Sequence, residues 1–479
     1  MNLRLVFKVV GYVLLIEGAA MAIPLLVSLL YQESPLPFLL SIGIVLILGL
    51  ILCRQKANKT QFFTREGFCS VGFIWLFTGL VGALPFYFCG YFPSFVDCFF
   101  EACSGFTTTG ATILSDIESL PKGILFWRAF THWLGGMGVL VLATAILPFL
   151  GIRTQYLAKA ETPGPTFSKL VPKQSQTAKI LYSIYCILTL IEVVCLKLAG
   201  MPLYDAFIHS FSTAGTGGFS NRNASVAAYD SVAIELILAF FIILFSLNFA
   251  LYFLLLHRRF KEVLQSDELH FFFGILVGAT LLIAVNIYPL YQSIGTCLRH
   301  AFFYVVSIIS TTGFGTVDYV LWPHFSQFIL ILLMFCGACA GSTGGGIKCS
   351  RILILLRSFR RELHQLNHPN CVEVVQLEGR AVDEDTVHGT HLFIAIYLLL
   401  ILAVGLILSL DNHSFAVSFS AALTCVSNVG PGLELLGPTG NCAIFSDFSK
   451  VVMAITMLVG RLEIFPILIL FSRFAWRKG

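Results

Sequence analysis

Ser310-Thr311-Thr312-Gly313-Phe314-Gly315-Thr316-Val317-Asp318 is a short, hydroxyl-rich loop between two long apolar runs. Comparable loops stand at three other places: Thr107-Thr108-Thr109-Gly110-Ala111-Thr112, Ser212-Thr213-Ala214-Gly215-Thr216-Gly217-Gly218-Phe219 and Ser427-Asn428-Val429-Gly430-Pro431-Gly432. Aligned on Gly110, Gly218, Gly313 and Gly430, they lie 108, 95 and 117 residues apart by subtraction of positions. Such intervals are too long for a solenoid unit and suit a repeated membrane hairpin with its loop.

The chain around these loops is apolar. Of 479 residues, 57% are hydrophobic and 12% charged, about half the charge fraction of a soluble domain. Mean hydropathy is +0.86, which places the chain in a bilayer. A net charge of +4 gives no reason to expect nucleic acid. The fourteen cysteines sit mostly inside apolar runs and read as small buried hydrophobes. Cys336-Gly-Ala-Cys339 lacks the βαβ context of a redox motif and reads as close packing in an apolar helix. Arg4 and Lys8 before an apolar run mimic a signal peptide, but that run continues to Leu30, the length of a retained span.

Each glycine loop has the same surroundings. Long apolar helices are expected at 68–88, 180–199, 271–288 and 392–410. Half-polar segments follow at 94–106, 203–211, 293–309 and 414–426, too short to cross about 30 Å of hydrocarbon. The loop comes next, and a second apolar helix closes the unit at 124–150, 232–256, 325–356 and 448–474. Two further spans, 9–30 and 38–53, precede the first unit. The fold class is therefore an all-α integral membrane protein: four helix–half-helix–helix repeats around a central pore, plus two N-terminal transmembrane helices. Its boundaries are 1–60 for the N-terminal pair, then 61–160, 161–262, 263–365 and 366–479. Non-helical backbone at membrane depth survives only where protein buries it or water lines it, so four such loops demand an enclosed cavity or pore.

Basic residues set the orientation. Arg54, Lys56, Lys59 and Arg65, then Arg153, Lys159, Lys169, Lys173 and Lys179, then His257, Arg258, Arg259 and Lys261, then Lys348, Arg351, Arg357, Arg360 and Arg361, and finally Arg473, Arg477 and Lys478 all fall on the side of Arg4 and Lys8. Both termini are then cytoplasmic, with ten crossings. Asp97, Glu101, Asp116, Asp318, Glu434 and Asp447 fall toward the glycine loops, as a solvated rim or a cation-attracting vestibule. On the cytoplasmic side, Thr162-Pro163-Gly164-Pro165 reads as a turn. The histidine pairs His364/His368 and His388/His391 lack a convincing third metal ligand and read as a solvated docking surface.

The loops offer carbonyls, hydroxyls and glycine, the oxygen ligands that hard cations take. Rings of carbonyls can replace a hydration shell and still release the ion. The half-helices would aim their partly negative C-terminal ends at the axis. Gly341-Ser342-Thr343-Gly344-Gly345-Gly346-Ile347-Lys348 fails the phosphate-loop pattern, because Ile347 separates glycine from lysine. Its triple glycine unwinds a membrane helix, either as a structural kink or as a mobile plug below the loops. Arg461 lies in the last apolar run. It is either held by Glu463 or by free carbonyls of a broken helix, or it faces the pore as a barrier to cations. Glu463, two residues away, is a poor partner for it.

The four repeats, the loops Thr-Thr-Thr-Gly-Ala-Thr, Gly-Gly-Phe-Ser, Thr-Thr-Gly-Phe and Asn-Val-Gly-Pro-Gly-Leu, the Gly-Ser-Thr-Gly-Gly-Gly-Ile-Lys stretch and Gly-Arg-Leu-Glu together resemble the TrkH/TrkG/KtrB superfamily of potassium transporters. The two extra N-terminal spans are similar to its TrkH branch. The resemblance implies potassium uptake across a bacterial inner membrane. It implies a filter of Thr107, Thr108, Thr109 and Gly110, of Thr216, Gly217 and Gly218, of Ser310, Thr311, Thr312 and Gly313, and of Ser427, Asn428, Val429 and Gly430. The K+ ion would be held by carbonyls of Thr108, Thr109, Gly217, Gly218, Thr311, Thr312, Asn428 and Val429. The gate would be Gly341, Ser342, Thr343, Gly344, Gly345, Gly346 and Lys348, with Arg461 facing the pore. A homodimer is implied, docked on a cytosolic TrkA-like subunit that binds NAD or ATP, so that this chain itself carries no organic cofactor. Pro431, standing where Phe219 and Phe314 stand, departs from the other repeats, and the register of the second loop is the least determined.

Two competing classes remain. An ion-coupled secondary transporter of another solute would need recognition side chains near the loops and inverted repeats, whereas an even number of crossings per unit makes the repeats parallel. An intramembrane enzyme would need a nucleophile–base pair or paired carboxylates near the loops, and the sequence offers none there. Gated channel and ion-coupled symport both fit the sequence.

Overall fold

The structure is a computed structural model that describes residues 3–55, 64–138 and 174–471. Several expectations lie outside the described residues: the end of the 124–150 helix, the turn at 162–165, and the basic side chains of Lys56, Lys59, Arg153, Lys159, Lys169, Lys173, Arg473, Arg477 and Lys478.

Helices α1 (Leu3–Ala20) and α2 (Ala22–Leu30) make one apolar span, and α3 (Leu36–Cys53) returns antiparallel beside it. Gly11 and Gly49 let these helices approach closely, because a Cβ on Gly11 would stand 2.8 Å from the Leu52 Cβ. The first unit follows: α4 (Thr64–Gly82), continued by α5 (Leu84–Cys89), then the half-helix α6 (Phe95–Phe106), the loop and α7 (Lys122–Gly136). The second has α8 (Gln174–Leu198), half-helix α9 (Leu203–Gly215), α10 (Val232–Ser246), α11 (Phe249–Leu256) and the short α12 (Phe260–Leu264). The third has α13 (Asp267–Tyr291), half-helix α14 (Ile294–Ile309), α15 (His324–Cys336) and α16 (Cys349–Asn367). The fourth has α17 (Glu384–Leu408), half-helix α18 (Phe415–Ser427), α19 (Asp447–Arg461) and α20 (Phe465–Phe471). A two-stranded antiparallel hairpin, β1 (Gln376–Leu377) and β2 (Arg380–Ala381), is the only β-pairing among the described residues.

The half-helices start where the sequence supplies caps. Ser94, Ser293 and Ser414 each accept the backbone N–H three residues on, the bond that satisfies an orphan donor. Pro202 precedes α9. At 12 to 16 residues and 1.5 Å per residue, each covers about 18–24 Å and stops inside the protein.

Among the described residues, six helices are long and apolar enough to span a bilayer, including the first helix of every unit: Gly67–Cys89, Lys179–Leu198, Asp267–Tyr291 and Glu384–Asp411. The second helices correct the sequence reading. Expected as continuous rods, 232–256 and 448–474 are broken, and 325–356 is interrupted, as its triple glycine predicts. α10 and α11 meet at 90°. α15 ends at Gly337, which has φ 71°. α19 ends before Glu463 and Ile464, which have φ 54° and 70°. Breaks at membrane depth are tolerated only when their freed groups find partners, and those partners lie in the site described next.

α20 packs on α4, and α19 packs on α6, so the last unit closes onto the first. Lys450 of α19 forms a buried ion pair with Asp97 of α6 at 2.7 Å across that seam.

Candidate functional site

The four glycine loops share one backbone conformation. The signature glycines have left-handed φ: Gly110 80°, Gly218 78°, Gly313 82° and Gly430 89°. Two residues earlier, Thr108, Thr216, Thr311 and Asn428 have φ of 56°, 55°, 64° and 56°. Residues other than glycine rarely adopt this region. The N–H before each glycine donates back into its half-helix at the same offset: Thr109 to Ser104 O at 2.9 Å, Gly217 to Ser212 O at 2.8 Å, Thr312 to Ser307 O at 2.8 Å and Val429 to Thr424 O at 3.0 Å. The second loop thus takes the register in which Thr216 and Gly218 match Thr108 and Gly110.

The loops meet in a closed ring. A Cβ on Gly110 would overlap the Gly217 carbonyl, and one on Gly218 would overlap the Thr312 carbonyl. A Cβ on Gly313 would lie 2.6 Å from Val429 O, and one on Gly430 2.7 Å from Thr109 O. Each loop therefore presses its glycine against the carbonyl of the residue before the next loop's glycine, and the fourth returns to the first. Only a residue without a side chain allows this approach at positive φ. The four glycines also line the wall of one cavity of about 80 Å³, together with Arg128, Ser220, Asn223 and Pro431.

Side chains behind the ring fix it. Ser104 Oγ donates to Ala111 O at 2.5 Å and Ser307 Oγ to Phe314 O at 2.8 Å. Thr107 bonds Thr109 at 2.8 Å, and Ser310 bonds Thr312 at 2.7 Å, hydroxyl to hydroxyl. Asn428 Nδ2 donates to Thr109 Oγ1 at 2.9 Å and to Met457 O at 3.0 Å, tying the fourth loop to the first. Tyr397 bonds Ser427 at 2.6 Å.

Several of these supports carry no motif and were missed in the sequence. His132 Nδ1 pairs with Gly105 O at 2.7 Å, and its ring stacks on Phe219 at 4.0 Å. Arg128 pairs with Glu101 at 2.5 Å, donates to Ser220 O at 3.0 Å, and sits 3.4 Å from the Phe219 ring centroid. A single histidine or arginine in an apolar run gives no spacing signal.

The acidic residues divide. Asp97 and Glu101 are 3% and 0% exposed and are paired with Lys450 and Arg128. They belong neither to a rim nor to a vestibule. Asp116, Glu434 and Asp447 are exposed and Asp318 is half-buried. Asn223 Nδ2 donates to Asp116 at 3.0 Å, which lowers that carboxyl below its ordinary pKa and joins the outer segments of the first two units.

Residues 341–348 lie against the ring from behind. Gly345 N donates to Thr311 Oγ1 at 2.8 Å and Gly346 N to Ser427 O at 3.0 Å. The same stretch fills the break between α10 and α11. Cys339 N donates to Ser246 O at 3.1 Å, Thr343 Oγ1 to Phe245 O at 3.1 Å, and Phe249 N to Gly341 O at 3.1 Å. Lys348 Nζ bonds Gly344 O within the loop. Arg461 Nη1 donates to Thr343 O at 2.7 Å, and its Nη2 to Gly135 O and Gly136 O at 2.7 and 2.8 Å. Of the two structural partners considered for Arg461, free carbonyls are found. Glu463 instead pairs with Arg351 at 2.6 and 3.1 Å.

The C-x-x-C pair is not inside a helix: Cys336 ends α15 and Cys339 lies in the loop, with Cys336 and Cys349 sulfurs 3.8 Å apart. His364 Nδ1 pairs with Glu373 at 2.9 Å. Val375, Leu377, Val382 and Val387 of the 357–391 region are buried in a small core with Leu353 and Ile354 of α16.

Known proteins match this arrangement over its full length. A crystal structure of the potassium transporter TrkH from Vibrio parahaemolyticus superposes with a TM-score of 0.89 at 36% identity, covering all of both chains. The Trk system potassium uptake protein TrkH of Salmonella typhimurium is 38% identical over 486 aligned positions, again covering all of both chains. TrkG of Escherichia coli is 34% identical over 100% of this chain and 99% of its own. The family model described as TrkH, cation transport protein, matches residues 38–478. This multi-pass membrane protein is a transporter rather than an enzyme, and it belongs to the TrkH family of cation transport proteins.

Proposed function

We propose that the chain takes up potassium across the bacterial inner membrane, through the axis that the four loops surround. The carbonyls of Thr108, Thr109, Gly217, Gly218, Thr311, Thr312, Asn428 and Val429 would take the place of the ion's water shell. The hydroxyls behind them, of Thr107 with Thr109 and of Ser310 with Thr312, hold the strands. Four half-helices end at the ring, and their partly negative termini favour a cation there. The observation that carries the reading is the closed circuit of glycine-to-carbonyl contacts, 110 to 217, 218 to 312, 313 to 429 and 430 to 109. The relatives' names, as potassium uptake proteins, supply the identity of the ion.

The stretch 341–348 is the gate in this reading, with Lys348 and Arg461 holding it shut under the ring. The repeats are bounded at 61–160, 161–262, 263–365 and 366–479. Two copies form a dimer, both termini face the cytoplasm, and a TrkA-like cytosolic subunit carries the NAD or ATP that regulates opening.

Gly313→Ser tests the filter. The site combines φ 82° with a 2.6 Å approach to Val429 O, so a side chain costs about 1–3 kcal/mol of strain and displaces the next loop's carbonyl. In a potassium-transport-deficient cell, discrimination of potassium over sodium is expected to fall about tenfold, the factor that 1.4 kcal/mol represents. An unchanged ion ratio in competitive uptake sinks the reading.

A further inference from the structure

Glu268 is a buried carboxylate, 7% exposed, near the start of α13. Its Oε1 accepts Ala340 N at 2.7 Å and Ser350 N at 2.9 Å. These two donors stand just before and just after the 341–348 loop, so one oxygen pins both of its ends. The Cys349 thiol also links the flanks, with Gly337 O at 3.4 Å and Cys336 Sγ at 3.8 Å, but these contacts involve only the flanking residues themselves, whereas Glu268 reaches both from another helix.

The other side of Glu268 faces the hairpin β1–β2. Glu378, in the hairpin turn, accepts Ser266 Oγ at 2.9 Å and the Glu268 backbone N–H at 3.4 Å. Its own N–H donates to Asp267 at 2.9 Å. Arg357, on α16 beyond the loop, bonds Asp267 at 2.8 Å and Gln376 O at 2.6 Å. Hairpin, helix start and loop thus form one continuous hydrogen-bonded chain.

We propose that Glu268 is the positioning residue that latches the 341–348 loop closed, and that the 376–381 hairpin holds the latch in place. Displacement of the hairpin releases the Glu378 contacts, tilts the first turn of α13 and withdraws the acceptor from Ala340 and Ser350. The hairpin is then where a regulatory protein acts on the loop. This rests on reading the loop as the gate, and the test separates the two.

The test uses the full chain in detergent or liposomes, with peptide-resolved mass spectrometry of labelling by a water-soluble maleimide. Cys336 and Cys339 lie just before the latched segment and are buried, whereas Cys371 is exposed and reports the fast limit. Glu268→Ala is expected to raise labelling of Cys336 and Cys339 at least about tenfold, because two buried N–H donors lose their acceptor. Glu268→Gln keeps the acceptor oxygen and is expected to label like the unsubstituted protein. Glu378→Ala is expected to fall between. Cys98 and Cys425, buried in half-helices, report unfolding. If both label in Glu268→Ala, Glu268→Asp replaces it, retracting the carboxylate by one methylene with the same expected gain at Cys336 and Cys339.

Labelling that stays at the unsubstituted level in Glu268→Ala, or in Glu268→Asp where Ala unfolds, overturns the latch. So does a Gln variant as reactive as Ala. Rubidium flux on the same samples judges the gate: faster labelling without faster flux supports the latch and removes the gate reading.

Discussion

Arg461 shows how one side chain can decide between competing accounts of a membrane charge. An arginine at membrane depth is costly unless its donors are met, and here three carbonyls meet them: Thr343 O on the loop, and Gly135 O and Gly136 O at the end of α7. The guanidinium spans two elements that lack any other described side-chain bridge. A lysine has the charge but not the fork. Arg461→Gln is therefore expected to raise basal rubidium flux in liposomes several-fold, and Arg461→Lys to raise it nearly as much. If charge repulsion alone blocked the pore, Lys would behave like the unsubstituted protein, and flux separates these outcomes. Lys450 makes the same argument for stability. Removing the cation from Asp97, itself 3% exposed, leaves a buried carboxylate without its ion-pair partner, worth about 3–5 kcal/mol. Lys450→Met is expected to lower the melting temperature in detergent, and adding Asp97→Asn is expected to restore most of it. An additive double variant counts against the pair.

Among the elements, the loop 341–348 is sensitive to single atoms. A Cβ on Gly345 would overlap Ser427 O, and one on Gly344 would lie 2.7 Å from Ser310 O. Gly345→Ala is thus expected to lift the loop from the ring and raise basal flux without changing the ion preference of Gly313. Flux at the unsubstituted level rejects this docking. The first helices, half-helices and glycine loops were legible because each has a local cause: an unbroken apolar run, a half-polar segment too short to span, a glycine needing positive φ. The breaks in α10–α11 and α19–α20 were not. Ser246-Leu247-Asn248 and Leu462-Glu463-Ile464 contain no glycine or proline. Their breaks are stabilised by partners about a hundred residues away, such as Cys339 N on Ser246 O. Glu268 and His132 were illegible for the same reason: each acts on a loop remote in sequence, and a lone acid or imidazole has no periodic signature.

At the scale of the whole molecule, four non-identical loops close one ring, and the seam between the last unit and the first is sealed by α19 on α6 and α20 on α4. Parallel repeats of this kind put every glycine loop on one side and every inter-unit connection on the other. In the proposed orientation the charge pattern gives the connections to the cytoplasm. The hairpin lies in the connection between α16 and α17, and so does Cys371, the one exposed cysteine among the described residues. An impermeant maleimide is therefore expected to label Cys371 in inside-out vesicles and to leave it untouched in intact spheroplasts. Cys371→Ser is expected to remove the fast-labelled fraction. Labelling in spheroplasts instead would invert the molecule, put the hairpin outside and deny any cytosolic subunit access to it. Because the glycine ring and the 341–348 loop keep their mutual contacts in either orientation, that result would overturn the proposed direction of regulation while leaving the proposed conducting axis in place.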